Sequence, residues 1–305
     1  MAHNIFIDGE AGTTGLQIRE RLETREDIRL IQVDPARRKE AGARREAFAQ
    51  ADVAILCLPD DAAREAVELC ADLDVRLIDA STAHRVDKAW VFGFPELHKD
   101  NRARIAEARF VSNPGCYSTG SIAMIAPLVA AGLIAPDEPL SINAVSGFTG
   151  GGKGLIAEYE SGEAPAHFVY GLGQNHKHIP EIMQQGGLTI QPVFAPSVGN
   201  FAQGMAVQLP LRLNGRRSIA ALQEALAAHY EGEHFVRVLA PGEAGTRIVP
   251  TELNGTNMMH ISIQGDDASG CATVVAVLDN LGKGASGASV QNLNIMLGLD
   301  EATGL

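Results

Sequence analysis

Cys116 stands in the run Asn113-Pro114-Gly115-Cys116-Tyr117-Ser118-Thr119-Gly120, flanked by small and polar residues rather than packing residues. A Pro-Gly turn delivers the thiol to the start of a segment, residues 121–133, whose apolar Ile122, Ile125, Ala126 and Val129 recur at helical spacing. A cysteine at a helix N-terminus meets unpaired backbone N–H groups and the positive end of the macrodipole. Both pull its pKa below the free value of about 8.5, which is the chemistry of a nucleophilic thiolate. The other reading is a small buried residue that fills the helix start. The glycine and hydroxyl flanks favour the nucleophile. Cys57, within residues 53–58, and Cys271, ahead of residues 272–277, read as buried strand positions, while Cys70 ends a helical run without polar company. Nothing pairs the four into a disulfide framework, which suits a reducing cytosol and a cytoplasmic protein.

The second chemical cluster is Asn175-His176-Lys177-His178-Ile179-Pro180-Glu181. Two histidines at i and i+2 project to the same side of an extended segment. With Cys116 or Glu181 they could hold a metal, but zinc-spaced cysteines are absent and a third dedicated ligand is hard to name. The favoured use is acid–base chemistry beside the Cys116 thiolate, with Glu181 orienting an imidazole, and no metal is expected.

A third motif follows the first apolar strand, residues 4–7: Gly9-Glu10-Ala11-Gly12-Thr13-Thr14-Gly15, then a helix. Strand, glycine turn and helix in this order bring a pyrophosphate to a helix N-terminus. The spacing G-x-x-G-x-x-G is one residue longer in its first gap than the usual dinucleotide fingerprint. After the second strand comes Val33-Asp34-Pro35-Ala36-Arg37-Arg38-Lys39. An acidic residue there would bind the ribose 2′-OH of NAD, and arginines the 2′-phosphate of NADP. Asp34 precedes Pro35 and can be turning the chain, so Arg37 and Arg38 tilt the reading to NADP. Gly147-Phe148-Thr149-Gly150-Gly151-Gly152-Lys153-Gly154 nearly matches a phosphate loop but lacks the Ser or Thr after the lysine that would ligate magnesium. A flexible anion loop with Lys153 is the better reading, and a kinase or ATPase the poorer one.

The elements that must position these groups change character along the chain. Residues 4–7, 28–33, 53–58, 75–78 and 110–112 are apolar strands. Between the first four lie helical runs at Thr13–Leu22, 36–50 and 60–70. Such strands imply a parallel sheet covered on both faces, a doubly wound, Rossmann-like α/β fold. Beyond Cys116, longer strands at 140–145, 189–194, 202–213, 235–239, 258–264 and 272–278 have few helices between them, apart from 218–230 with Ser218 as N-cap. This describes a second, α+β domain with a largely antiparallel or mixed sheet. The final helix covers residues 287–299. At 305 residues two domains fit comfortably, and no stretch reaches the length of a membrane span. Met1-Ala2-His3-Asn4 runs straight into a strand, so no signal peptide is expected. A net charge of −12 argues against nucleic acid and requires that an anionic ligand be met by local cations or amides. Arg85, Lys153, Lys177, Arg247 and Lys283 are the candidates.

Taken together, Gly9–Gly15, the run around Cys116, His176–Glu181 and Lys283-Gly284-Ala285-Ser286-Gly287-Ala288-Ser289-Val290-Gln291-Asn292 resemble the N-acetyl-gamma-glutamyl-phosphate reductases, in their shorter, second type. Asp79-Ala80-Ser81-Thr82-Ala83-His84-Arg85 and Phe92-Gly93-Phe94-Pro95-Glu96-Leu97 are similar to that family as well. The resemblance implies NADPH-dependent reduction of an acyl phosphate to an aldehyde in arginine biosynthesis. It also implies a dinucleotide-binding domain (1–115) completed by residues 283–305, and a catalytic and oligomerisation domain (116–282). The partners expected are a small acyl phosphate, inorganic phosphate and further copies of the chain as a dimer or tetramer, with neither nucleic acid nor membrane. Carried over by motif, Cys116 is the nucleophile and a protonated His176 its acid–base partner, supported by His178 and Glu181. Candidate cofactor contacts are Gly9, Gly12, Thr13, Thr14, Gly15, Arg37, Arg38, Pro59, Ser81 and Asn292, the last beside Gln291 near the nicotinamide. Candidate substrate contacts are Asn113, Arg85, Ser146, Gly147 and Lys153. An aspartyl-phosphate reductase (aspartate-semialdehyde dehydrogenase) or a reductase of carrier-bound acyl phosphates shares the thiolate and glycine turn. A metallohydrolase on His176, His178 and Glu181 is the rival from another class, and an NADP-sensing protein a third.

Overall fold

Strands with apolar residues on both faces need cover on both. In the computed structural model, which describes residues 2–305, β1 (His3–Asp8), β3 (Val53–Leu56) and β4 (Arg76–Asp79) receive it. With β2 (Ile28–Ile31), β5 (Val91–Phe92) and β6 (Phe110–Ser112) they build a parallel sheet in the order β2-β1-β3-β4-β6-β5. Alternate residues go to opposite sides. Ile5, Ile7, Ile55, Ile78 and Val111 pack with Ile18 and Leu22 of α1 (Thr13–Leu22), Ile105 of α4 (Asn101–Glu107) and Val290, Leu293 and Met296 of α9 (Gly287–Met296). Phe6, Ala54, Leu56 and Leu77 pack with Ala47 and Phe48 of α2 (Ala41–Gln50) and Ala66 of α3 (Asp60–Leu69). Each fully buried large side chain contributes about 1.5–3 kcal/mol. This unit comprises the chain up to Pro114 and Ala285–Leu305. The doubly wound fold expected from the strand pattern is present. From β1 the chain crosses to β2 on one side and then to β3 on the other, so the glycine turn after β1 lies at the switch point.

The second unit, Gly115–Gly284, has a seven-stranded sheet in the order β11-β12-β13-β10-β7-β9-β8. Its strands are β7 (Ser141–Gly147), β8 (His167–Val169), β9 (Val193–Gly199), β10 (Met205–Arg212), β11 (Val236–Val238), β12 (Met259–Asp266) and β13 (Cys271–Leu278). Two pairs are parallel and four antiparallel, the mixed sheet expected. α5 (Cys116–Ala130) is apolar nearly all round and buried. Gly120 lets it approach β10, since a Cβ there would come within 2.9 Å of Val207. α8 (Ile219–His229) is capped by Ser218, whose Oγ accepts from the Ala221 amide at 3.1 Å. The opposite face of β10 exposes Gln208, Pro210 and Arg212.

Several boundaries differ from expectation. α2 begins at Ala41 rather than at 36, because Asp34 Oδ1 accepts from the Ala36 amide at 2.8 Å and starts a run of turns. β9 begins at Val193, beyond Pro192, rather than at 189. The glycine-rich segment after β7 is not a flexible loop: Phe148–Gly151 is a 3-10 turn leading directly into α6 (Gly152–Glu160). Phe148 stacks on Tyr159 at 4.6 Å, and Asn280 Nδ2 donates to Thr149 Oγ1 at 3.0 Å. The short β5 and β8 and the helices α4, α6 and α7 (Ile179–Gly186) were not read from the sequence.

Gly9 has φ +89°, and a Cβ there would collide with the Cys57 carbonyl oxygen. Gly9→Ala is therefore expected to cost about 2 kcal/mol or more. Gly42→Ala, inside α2 with open space around its Cα, should instead stabilise by about 0.5–1 kcal/mol. Denaturant unfolding of both variants checks the opposite signs.

Candidate active site

Cys116 is the first residue of α5, and its N-cap Gly115 is extended with no side chain capping the helix. Glycine offers no side chain to accept from the amides of that first turn. Ser118 Oγ and Thr119 Oγ1 turn back to donate to the Gly115 carbonyl at 2.8 and 2.9 Å. The Gly115 amide donates to Glu181 Oε2 at 3.2 Å, joining the start of α5 to the first turn of α7. Cys116, His178 and Glu181 thus come from two helix starts that meet.

The histidine pair is not on an extended segment. Residues 174–178 turn, and His178 is the N-cap of α7, with Pro180 in its first turn. The His178 amide donates to His176 Nδ1 at 3.1 Å, and the two rings meet at 4.7 Å nearly perpendicular. A backbone N–H can only donate, so His176 Nδ1 is the acceptor and the proton of the neutral ring sits on Nε2. The same bond withdraws that nitrogen's lone pair from a metal. Among the described residues no group of three or more His, Cys, Asp or Glu is arranged to hold one. His176 Nε2 lies 3.5 Å from the Tyr170 hydroxyl, and the Tyr117 ring stands edge-on to His176 at 6.0 Å. Tyr117 donates its hydroxyl proton to the Ser197 carbonyl at 2.9 Å.

Beside Cys116 is a cavity of about 180 Å³, walled by Tyr117, Ser146, Gly147, Gly150, Gly151, Leu155, Phe168, Tyr170 and Val198. It brings the predicted Ser146 and Gly147 to the thiol. Lys153 is exposed on α6 and does not line it. Burial pushes the Tyr170 phenol up to about 12, the Tyr117 hydroxyl acting against this and Cys116 with it. Leu155, Phe168, Tyr170 and Val198 were missed by reading residues for reactive types. The aromatic pair Phe168 and Tyr170, two apart with an edge strand beneath them, was the available signal.

The predicted cofactor residues, with Arg85 and Asn113, lie in the parallel-sheet unit, Asn292 on α9 and the others past the carboxyl ends of its strands. Thr13 and Thr14 open α1, whose N-cap Gly12 also leaves the helix without a side-chain cap. A Cβ on Gly15 would come within 2.8 Å of the Gly9 carbonyl oxygen, so the turn is as tight as a pyrophosphate cradle requires. Arg37 pairs with Glu40 at 2.9 Å on the surface, Arg38 is exposed, and Pro59 precedes α3 as its N-cap. Ser81 bonds through both its amide and its hydroxyl to the buried Asp79, which also receives His84 Nδ1 at 2.6 Å. Asn292 Nδ2 donates to the Gly93 carbonyl and to Asn113 Oδ1, while its Oδ1 is buried and accepts no hydrogen bond. Asn113 spends its own amide on the Ala285 carbonyl, and Gln291 is tied to Glu96 at 2.9 Å. Arg85 is buried, with Nη2 donating to the Ala80 carbonyl. Lys283, a candidate surface cation by sequence, is buried with its ammonium 5.5 Å from the Phe235 ring centre.

Residues 36–107 match the family model described as semialdehyde dehydrogenase, NAD binding domain, and residues 116–280 that of the semialdehyde dehydrogenase dimerisation domain. N-acetyl-gamma-glutamyl-phosphate reductase 2 of Nostoc sp. is 50% identical, over 99% of this chain and 98% of that protein. The enzyme of the same name from Brucella anthropi is 50% identical over 98% and 99%. The chain belongs to the N-acetyl-gamma-glutamyl-phosphate reductases, within the semialdehyde dehydrogenase family. The resemblance drawn from the sequence motifs therefore holds. Among solved structures, aspartate semialdehyde dehydrogenase II of Vibrio cholerae complexed with ASA aligns with TM-score 0.69 at 14% identity, covering 97% of this chain and 98% of that one. Aspartate semialdehyde dehydrogenase with NADP from Candida albicans gives 0.67 at 14%, covering 97% and 99%. These two share the fold.

The cysteines differ in ways a reagent can read. Cys57 lies one residue past β3, and burial, with the Asp79 and Asp8 carboxylates, pushes its thiol up to about 12. Cys70, fully buried, is raised chiefly by burial and donates to the Ala66 carbonyl. Cys271 opens β13 and is partly exposed rather than buried. Iodoacetamide at pH 8 is expected to modify Cys116 well before Cys57 and Cys70, as followed by peptide mass mapping. Equal labelling of Cys57 would contradict the placement.

Proposed function

We propose that the chain reduces N-acetyl-gamma-glutamyl phosphate to N-acetylglutamate semialdehyde and inorganic phosphate with NADPH, a step of arginine biosynthesis. The observation that carries this is Cys116 on the start of α5, bordering a cavity that Tyr170 also lines, with Nε2 of a His176 of fixed tautomer 3.5 Å from the Tyr170 hydroxyl. Gly9, Gly12 and Gly15 with Thr13 and Thr14 would hold the pyrophosphate, and the idle Oδ1 of Asn292 suits a carboxamide N–H. Asp34 is engaged in its own turn, which favours Arg37 and Arg38 meeting a 2′-phosphate, and so NADP over NAD. Bound there, NADPH supplies the hydride that takes the acyl group to the aldehyde level.

The Cys116 thiolate attacks the acyl carbon, and the C–O bond to phosphate breaks with its electron pair leaving on phosphate. The resulting thioester is the species that is reduced, and the thiohemiacetal then collapses by C–S cleavage, returning the thiolate. His176 presents Nε2–H to the carbonyl oxygen through both tetrahedral stages. Because Nδ1 accepts from the His178 amide, it does so as a neutral donor rather than as the protonated imidazole expected from the sequence. Glu181 holds Gly115, and so the helix start, in place. Arg85, buried in the parallel-sheet unit, is the cation proposed for an anionic group bound there. The unit bearing β10 supports assembly as a dimer or tetramer, since it matches a dimerisation domain and its sheet has an exposed face. Four free cysteines favour a reducing cytoplasm.

The test is phosphate-dependent reduction of NADP by N-acetylglutamate semialdehyde, with aspartate semialdehyde as comparator. Cys116→Ala is expected to abolish turnover, and His176→Ala to lower kcat by about 10²–10⁴-fold. A neutral donor also predicts that kcat/KM holds or rises from pH 7 to 9. A fall as pH climbs past the ordinary imidazole range would mean that the charged ring is required. Near-parental activity in Cys116→Ala would remove the covalent route.

A further inference from the structure

We propose that the cavity beside Cys116 is the N-acyl subsite, with Leu155 and Phe168 setting the length of acyl group admitted; this rests on the acyl-phosphate reductase reading above. Its apolar walls are Leu155 of α6, Phe168 of β8, Val198 of β9 and the Tyr170 ring. Gly147, Gly150 and Gly151 with Tyr117 and Ser146 supply the remainder, and the one group of the lining that the proposed reaction charges is the Cys116 thiol. Its hydroxyls are largely committed: Ser146 Oγ donates to the Gly147 carbonyl and the Tyr117 hydroxyl to Ser197. An anionic acyl group placed here would lose water without gaining a counter-ion, beside a thiolate of the same sign. A neutral, short acyl group avoids that penalty, so the cavity rejects by an unmet charge and selects by size.

The volume sets the scale. About 180 Å³ is the room of roughly six waters, which fits a short acyl group with part of its amino acid and excludes long or carrier-bound chains. Leu155 is a firm limit because its side chain fills the place that a Cβ on Gly151 would need. Its helix is fixed by the stack of Tyr159 on Phe148.

The experiment uses the full chain and compares kcat/KM for the N-acetyl, N-butyryl, N-isobutyryl and N-oxalyl derivatives of glutamate semialdehyde, with phosphate and NADP. N-isobutyryl and N-oxalyl have the same shape and differ in charge. The parent enzyme should prefer N-isobutyryl over N-oxalyl by at least about 100-fold. Leu155→Ala should raise the butyryl-to-acetyl ratio by about tenfold, and Phe168→Ala, a second and independent variant, should raise it as well. Unchanged ratios in both variants, or N-oxalyl used as well as N-isobutyryl, would overturn the subsite while leaving the reductase reading intact. Failure of the parent to turn over the N-acetyl compound would overturn that reading and the subsite with it.

Discussion

A buried carboxylate, Glu181, accepts a hydrogen bond from the amide of Gly115, and through that contact the two chemical clusters of the chain become one site. Gly115 is the N-cap of α5 and Glu181 lies in the first turn of α7, so the bond fixes two helix starts against each other. The helices also touch farther along. A Cβ on Gly186 would press within 3.1 Å of Ile125, and Gly187, in the left-handed region, ends α7 beside Val129. The arrangement carries an electrostatic cost. A helix terminus offers an anion about 0.3–1 kcal/mol, less than one pKa unit at 1.36 kcal/mol, and Glu181 already draws on it. In the reaction proposed above, the dipole at the start of α5 is therefore shared between Glu181 and the Cys116 thiolate.

Both units arrive at the same local device by the same means. α1 and α5 each follow a strand of the parallel sheet, and each has glycine where a capping side chain would normally stand. α8, which faces no chemistry, is capped by Ser218. Substituting glycine for Ser or Asp at an N-cap costs little stability, a few tenths of a kcal/mol. In the function proposed above, the acceptor for the first-turn amides at α1 would be a pyrophosphate, and at α5 a sulfur anion and the oxygen forming beside it.

Much of this was legible from residue types. The parallel strands were found because runs such as Val53–Leu56 are apolar, and Thr13–Leu22 because Leu16, Ile18 and Leu22 read as inward; Ile18 and Leu22 are buried, whereas Leu16 is exposed. Cys116, the glycine turn and the histidine cluster were visible because their neighbours are wrong for packing. The failures have physical causes. Residues 36–40 looked helical because the pattern does not register that Asp34 binds the Ala36 amide and Pro35 locks the turn. The histidines looked extended because an i, i+2 pair carries no sign that the intervening backbone bends to let one residue's amide reach the other's ring. Cys57 looked buried within a strand, yet β3 ends one residue earlier, where the Gly9 turn needs room. The cavity wall was invisible because Leu155, Phe168 and Val198 have no reactive groups. Their meaning lies in which strand and helix ends converge, and that is a tertiary fact.

The net charge of −12 requires a way for this protein to attract an anionic substrate, and burial decides among the cations the sequence offered. Lys153, Lys177 and Arg247 are exposed, where water screens them to little effect. Lys283 is buried against Phe235 and serves the turn Gly282–Ser286, whose Gly284 lies against the Cβ of Cys116. Arg85 is different. It is buried, and the segment that carries it is held from both sides by Asp79, which receives the Ser81 hydroxyl and the His84 ring, with Trp90 stacked on that ring at 4.2 Å. A guanidinium fixed by such a hub has lost its freedom before any ligand arrives, so the attraction it offers is not reduced by ordering cost. In the proposed function, Arg85 and the start of α1 each give the parallel-sheet unit local positive potential for an anion, within a chain whose net charge is −12.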